Sequence, residues 1–311
     1  MKILKGLAKF GIGIIACCML AGEMTPYMPI LGLFTHFSLH YFLCLILALP
    51  FVTSKQRPFW FLVASFLILI HAVKIATDYL TSNYDITTTG SYTLMTFNLE
   101  KDIPKPTLVL PFLKDQQPDI LVLHEYTPGW HQRLSALQKL YPYRHFVLNE
   151  GYFGQLIASK YPFESVKAHW LGSCDSPALN SQINVDGLRL DLWALHPPSP
   201  PRLRDILFRD MMMDSLAQMV AGNANPLMVV GDLNITPFHP HFSSFVEKAG
   251  LMDSRLGKGY QASWPSGLGA LGIPLDHICH NEAVDILTRT VGPKKGSDHL
   301  PVMIRWSFHG K

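Results

Sequence analysis

The chain has 311 residues, of which 48% are hydrophobic and only 16% charged, against about 25% charged in an average soluble protein. Its net charge of +3 arises in residues 1–83, while residues 84–311 hold 20 basic and 21 acidic side chains. This composition excludes a disordered chain, a coiled coil and a small disulfide scaffold, and the balanced C-terminal part excludes a strongly basic nucleic-acid-binding body.

Residues 1–83 read as a membrane region. Met24–Ser54 contains no Asp, Glu, Lys or Arg, and its second half supplies a good span at His36–Val52, near the ~20 apolar residues a bilayer core requires. Phe59–Val73 is also free of charge but short. It reaches span length if Lys74 snorkels and the helix runs on to Thr77. Phe10–Gly22 is either the core of a first span or a signal-peptide apolar region behind Lys2, Lys5 and Lys9. Three spans with the N-terminus inside keep Lys2, Lys5, Lys9, Lys55 and Arg57 in the cytoplasm, whereas two spans would export Lys55 and Arg57 against the positive-inside bias. The expectation is therefore a multi-pass inner-membrane protein with residues 84–311 on the periplasmic or external side. Gly22–Thr35, with Pro26 and Pro29, is then a short external turn.

Ser82–Ser91 is polar and Thr-rich, a linker. Beyond it, short apolar runs alternate with helical stretches. Tyr92–Phe97 is a strand, Pro111–Gln117 a short helix, Asp119–Leu123 a buried strand and Trp130–Leu140 a helix stopped at Pro142. Gln155–Ser159, Leu188–Leu195 and Leu227–Val230 are further strands. Asp205–Val220 is a helix that turns Leu207, Met211, Leu216 and Met219 to the core and closes at Gly222. Asp210 beside Arg209 reads as a solvated helix face, although Arg209 could reach a phosphate, and Met211–Met213 as packing. This alternation indicates a layered α/β domain.

Polar residues gather where the expected strands end. Asn98 follows the first strand, Glu125 follows DILVLH, His196 follows LRLDLWAL, and Asp232 and Asn234 follow LMVVG. Asp276 lies in PLDHICH, and Asp298 and His299 open the last strand, GSDHLPVMIRW. A lone carboxylate after a strand is most often a cap or turn residue. Six such positions in one order form a pattern.

That order, TFNLE, DILVLHE, LHPP, GDLN, LDHI and GSDHLPV, resembles the endonuclease/exonuclease/phosphatase superfamily of metal-dependent phosphoesterases over residues 92–306. The leader, WHQRL, YPYR and SWPSG further suggest its membrane-anchored bacterial branch, whose substrates are generally unassigned. The resemblance implies a two-sheet α/β sandwich with helices on the outer faces, preceded by about three transmembrane helices. It also implies a Mg²⁺ or Mn²⁺ cofactor held by Glu125, with Asn98 supporting the metal and Asp298 as a second-site or outer carboxylate. His299 corresponds to the catalytic histidine, with Asp276 holding its ring. Asp232 corresponds to the residue that orients or deprotonates the attacking water. Asn234 would donate to a phosphoryl oxygen, and His196 would donate to the phosphate or protonate the leaving oxygen.

The sequence departs from the family pattern at His124, where Gln is common, and at His277. Both read as satisfied, half-buried imidazoles. Among five cysteines there is no CxxC pair, and Cys174 and Cys279 are expected to be unbonded. The implied activity is hydrolysis of a phosphodiester or phosphomonoester by water, on a nucleic acid, a phospholipid headgroup or a small phosphate ester. The neutral domain argues against tight, processive DNA binding, and no obligate protein partner is evident. A catalytically silent, membrane-tethered binding domain of the same fold is the alternative. Such a domain is expected to have lost one of Glu125, Asp232, Asn234 or His299, and all four are present.

Overall fold

The computed structural model describes residues 1–53, 58–76, 78–80, 91–103, 105–172 and 175–310. Lys55, Arg57, Thr77, Cys174 and all of the Ser82–Ser91 linker but its last residue lie outside the described residues. Among the described residues, three N-terminal helices are long and apolar enough to cross a membrane. The first is α1 (Lys2–Glu23). A 3-10 segment, Pro29–Phe37, runs directly into α2 (Ser38–Val52), and α3 (Phe59–Ala76) follows. Most of the expected external turn is thus helical. Ile12, Leu45, Ala64 and Leu67 form the small core between the helices.

The remaining chain forms two six-stranded mixed sheets. The first sheet contains β1 (Tyr92–Asn98), β2 (Ile120–His124), β3 (Tyr143–Val147), β4 (Gln155–Ser159), β11 (Val284–Val291) and β12 (Val302–Phe308), in the order β11-β12-β1-β2-β4-β3. The second contains β5 (Phe163–Trp170), β6 (Pro177–Val185), β7 (Leu188–Ala194), β8 (Leu227–Asp232), β9 (Met252–Asp253) and β10 (Asp276–His280), in the order β5-β6-β7-β8-β10-β9. Each sheet has one parallel pair at its centre, β1 with β2 and β7 with β8. The C-terminal ends of four strands therefore open at one edge of the sandwich, the side on which parallel strands present functional loops.

Burial on both faces explains why the central strands read as continuous apolar runs. In β2, Ile120 and Val122 enter the core between the sheets, while Leu121 and Leu123 face the outer layer. That layer is built by α4 (Val109–Gln116) and α5 (Pro128–Arg133). The second sheet is covered by α6 (Leu203–Val220) and α7 (Pro240–Ala249).

Several sequence expectations are corrected. The Trp130–Leu140 helix is instead α5, capped by Thr127 Oγ1 accepting from Trp130 N, followed by a 3-10 turn at Ser135–Lys139. The three-residue repeat of that turn aligns Leu134 with Leu137, and both are buried. In α6 the core face is displaced. Ile206, Arg209, Met213, Leu216 and Val220 are buried, whereas Leu207, Met211 and Met219 are 42–47% exposed. The buried stripe carries a fully buried arginine, Arg209, so this position is not a solvated helix face. The last strand starts at Val302, so Asp298 and His299 precede it in a turn. His124 and His277 are fully buried rather than half-buried. Cys279 is a free, buried thiol.

The helices and the sandwich meet through polar contacts. Arg255 Nη1 lies 2.5 Å from Asp78 Oδ2 and its Nε 3.3 Å from Asp253 Oδ2, with all three side chains almost fully buried. Breaking a buried pair by removing one partner costs about 3–5 kcal/mol, because the remaining charges are left uncompensated. Arg255→Met should therefore destabilise the full-length protein by that amount, and by more than Asp78→Asn. Thermal unfolding of both variants in detergent checks the ranking.

Candidate active site

Six of the strands that end or start at the open edge each deliver one polar side chain, in the strand or just beyond it. Asn98 closes β1, Glu125 follows β2, His196 lies two residues past β7, and Asp232 closes β8. Asp276 opens β10, and His299 sits three residues before β12. Their convergence point is one carboxylate oxygen. Asp232 Oδ2 accepts a hydrogen bond from Asn98 Nδ2 at 3.0 Å, and lies 3.4 Å from His299 Nε2 and 3.6 Å from His196 Nε2. The other oxygen, Oδ1, accepts from Asn234 N at 3.0 Å. A buried carboxylate requires such donors, since its desolvation is otherwise unpaid by any interaction.

The backbone of the GDLN segment permits this approach. Gly231 has φ +152, and a Cβ there would lie 2.0 Å from the Leu195 carbonyl and 2.9 Å from the His124 ring. Beside it, His124 Nε2 lies 3.2 Å from Thr96 Oγ1. Burial, followed by the neighbouring His196, holds the His124 imidazole neutral. His277 is likewise depressed by burial, with Nε2 donating to the Ile235 carbonyl at 2.9 Å. Both are structural fillers behind the site.

His299 and Asp276 form a pair. Nδ1–H of His299 donates to Asp276 Oδ2 at 2.9 Å, with both side chains buried. Burial alone would lower the imidazole. The carboxylates of Asp276 first and then Asp232 outweigh it and lift His299 to about 10. The ring is therefore an imidazolium at neutral pH. His196 Nδ1 donates to the Tyr152 carbonyl at 3.1 Å, which turns its Nε2 toward Asp232. Asn234 Nδ2 donates to the Pro197 carbonyl at 3.0 Å. An amide carries two N–H groups, so one is left to face a ligand.

Beside this cluster lies an acidic corner. Glu125 Oε1 accepts from Asn98 Nδ2 at 3.2 Å, and Oε2 accepts from Lys101 N at 2.8 Å. Glu100, a residue of TFNLE that received no role in the sequence reading, is part of it. Its Oε2 accepts from Asp298 N at 2.9 Å, and its own N donates to Asn98 Oδ1 at 3.0 Å. Burial raises the Glu100 carboxyl, and the negative charges of Asp298 and Glu125 raise it further. Asp298 stands at the rim, its side chain 47% exposed, with Oδ2 accepting from Trp264 Nε1 at 2.9 Å. The structure thus brings all eight expected residues to one edge, with Asp298 Oδ1 4.0 Å from His299 Nε2 and its backbone N bonded to Glu100.

Three of these side chains sit on left-handed backbone: Glu100 at φ +54, Glu125 at φ +56 and Asn234 at φ +52. Such conformations cost about 1–3 kcal/mol each outside glycine and gather at functional sites. The backbone at Glu100 was the missing signal, and no one-dimensional pattern carries it.

Residues 95–299 match the model of the Endonuclease/Exonuclease/phosphatase family. The chain belongs to that family. Its members are in general metal-dependent phosphoester hydrolases. Solved structures share the fold. The endonuclease/exonuclease/phosphatase from Beutenbergia cavernae is 20% identical, with 71% of this chain and 72% of that one aligned at a TM-score of 0.57. TDP2 of D. rerio, complexed with a single-strand DNA product, is 17% identical over 70% and 99% of the two chains, with a TM-score of 0.60. The human nocturnin catalytic domain with bound sulfate is 19% identical over 70% and 94%, with a TM-score of 0.56. No curated protein sequence matches the chain.

Within this family setting the His299–Asp276 contact generates a test. His299→Ala should reduce turnover by at least about a hundredfold, the scale of a positioned acid–base group. Asp276→Asn should cost less alone and almost nothing when added to His299→Ala, because paired groups act as a unit. Since Asp276 raises His299, Asp276→Asn should also move the alkaline limb of the rate profile to lower pH. Multiplicative losses with an unmoved limb would separate the two residues.

Proposed function

We propose that this chain is a membrane-anchored, divalent-metal-dependent phosphoesterase that attacks phosphorus with water. The observation that carries this reading is the convergence of Asn98, His196 and His299 on Asp232 Oδ2, directly beside Glu125. An intact His299–Asp276 pair with a charged ring disfavours a silent scaffold, which has no use for a buried imidazolium.

The residues present fit a hard cation. Glu125, Asn98 and Asp298 offer oxygen donors, which suit Mg²⁺ or Mn²⁺ and not zinc. Burial first, and then the negative charges of Asp298 and Glu125, raise Glu100, and a cation beside these carboxylates would relieve their repulsion. Asp232, Asp276 and His299 also bring ligand atoms within 4.8 Å of one another. That set suits a cation less well, because His299 is protonated and its Nδ1–H is committed to Asp276. When bound at Glu125, the metal supplies charge neutralisation at a phosphoryl oxygen.

The protein's own groups do the rest. Asp232 holds the attacking water by a hydrogen bond and accepts its proton as the O–P bond forms. The free N–H of Asn234 donates to a phosphoryl oxygen as negative charge grows there. His299, held cationic by Asp276, faces the same phosphate, and His196 donates to the phosphate or to the leaving oxygen. For substrates, TDP2 with its DNA product supports a phosphoester in general. For topology, the positive-inside bias of the basic residues in the leader favours residues 84–311 outside the cytoplasmic membrane.

Two measurements test this. Glu125→Gln should weaken Mg²⁺ or Mn²⁺ binding by calorimetry and lower the rate with it, since it removes an anionic ligand. Full activity after exhaustive chelation would overturn the reading. A reporter fused after Thr77 should be active only on the external side of the membrane, and activity confined to the cytoplasm would reverse the topology.

A further inference from the structure

The edge of the sandwich that carries the candidate site is also the edge held against the membrane helices. His36, in the 3-10 segment before α2, places Nδ1 2.9 Å from Thr236 Oγ1 and accepts from Thr236 N at 3.3 Å. Thr236 lies two residues after Asn234. The His36 ring stacks on that of His239 at 5.4 Å between centroids. Gly32 passes so close that a Cβ there would lie 2.2 Å from His239 Nε2. His40 Nε2, in the first turn of α2, donates to the Leu271 carbonyl at 2.8 Å. These contacts fix the site edge at the end of an apolar helix, and the Asp78–Arg255 pair fixes it at the end of α3.

The segments flanking the site on this edge are apolar and exposed. Residues 264–273 run from the site to the membrane helix: Trp264 bonds Asp298 at one end, and Leu271 meets His40 at the other. Between them Leu268 is 55% exposed, and Leu271 is 51% exposed. The chain leaving His196 enters α6 with Leu203 and Leu207 exposed, beside exposed Arg202 and Arg204. α6 itself packs on the 3-10 segment. Exposed leucines at the head of a membrane-length helix, with arginines on either side of Leu203, are the composition of a surface that enters a lipid interface.

We propose that the substrate is a phosphoester headgroup of a bilayer phospholipid, taken directly from the leaflet facing the sandwich, with Leu203, Leu207, Leu268 and Leu271 dipping into that leaflet around the site. This rests on the phosphoesterase reading above and names its substrate class. One water is consumed: its oxygen stays on phosphorus, one P–O ester bond breaks, and the departing oxygen takes a proton to leave as an alcohol. The near-neutral charge of residues 84–311 fits a headgroup reached by tethering, since a nucleic acid strand is followed by many basic contacts.

The full-length protein, reconstituted with Mn²⁺ in vesicles of phosphatidylethanolamine and phosphatidylglycerol, should release phosphorylated headgroup or lipid phosphate. It should do so at least about tenfold faster than it cleaves the matching water-soluble glycerophosphodiesters or a single-stranded DNA oligonucleotide. Leu268→Asn with Leu271→Asn, and separately Leu203→Asn with Leu207→Asn, should slow vesicle turnover by about tenfold, because interfacial binding scales with buried apolar area. Both variants should leave the rate on bis(p-nitrophenyl) phosphate unchanged, which also shows that they fold. Equal rates on oligonucleotide and vesicle, or leucine variants that lose nothing on vesicles, would overturn the lipid proposal and leave the phosphoesterase reading standing. No metal-dependent hydrolysis of any of these substrates would overturn both.

Discussion

The Asp232 carboxylate is the constraint on which the rest of the sandwich depends. It ends a central strand of one sheet and takes a hydrogen bond from Asn98, which ends a central strand of the other. A buried negative charge is tolerated only where it is paired or hydrogen-bonded. Closing the two sheets over their shared apolar core therefore also assembles the polar edge. Leu94, Val122, Leu192 and Val230, drawn from β1, β2, β7 and β8, are fully buried between the sheets. Each such side chain contributes about 1.5–3 kcal/mol by burial. The core sets the spacing, and the carboxylate fixes the register at which the strand ends face one another.

Part of that stability offsets local strain. Glu100, Glu125 and Asn234 hold left-handed backbone, and Gly231 lets β8 approach β7 more closely than any Cβ would allow. Each distortion aims a side chain inward at the open edge. Glu125 turns back to Asn98, Glu100 reaches across to Asp298, and Asn234 is held from behind by Arg209, whose Nη1 donates to its carbonyl at 3.1 Å. The buried arginine of α6 thus supports the GDLN turn from the helix layer. Its burial is made possible by Asp210, which lies 2.8 Å from its Nη2.

The helices and the sandwich are similarly interlocked. Three contacts of different chemistry, a histidine on a threonine, a histidine on a carbonyl and a buried ion pair, join the same ends of α2 and α3 to loops beside the strand ends. Polar contacts of this kind are directional, so they fix orientation where an apolar seam would permit sliding.

The sequence by itself determined the apolar spans, the central strands and the family. These rest on local features: runs without charge, all-apolar strands buried on two faces, and motifs that hold chemistry at strand ends. It singled out Asn98, Glu125, His196, Asp232, Asn234, Asp276, Asp298 and His299, which the structure brings to one edge. It did not reveal β3, β5 and β11, whose partial exposure mixes polar and apolar residues and weakens the period of two, nor the two-residue β9, nor β6, which is mostly buried but carries Asn180, Ser181 and Gln182 at its middle. Only the tertiary structure decided the phase of α6, because a helix with apolar residues on both faces packs on whichever one the sheet and α7 can bury. Glu100 entered the site through a backbone conformation that depends on its neighbours in space. The contact of His36 with Thr236 joins residues 200 positions apart. Neither residue type nor spacing along the chain encodes which distant loop an apolar helix will meet; that is fixed when the two sheets close and bring the strand ends to a single edge.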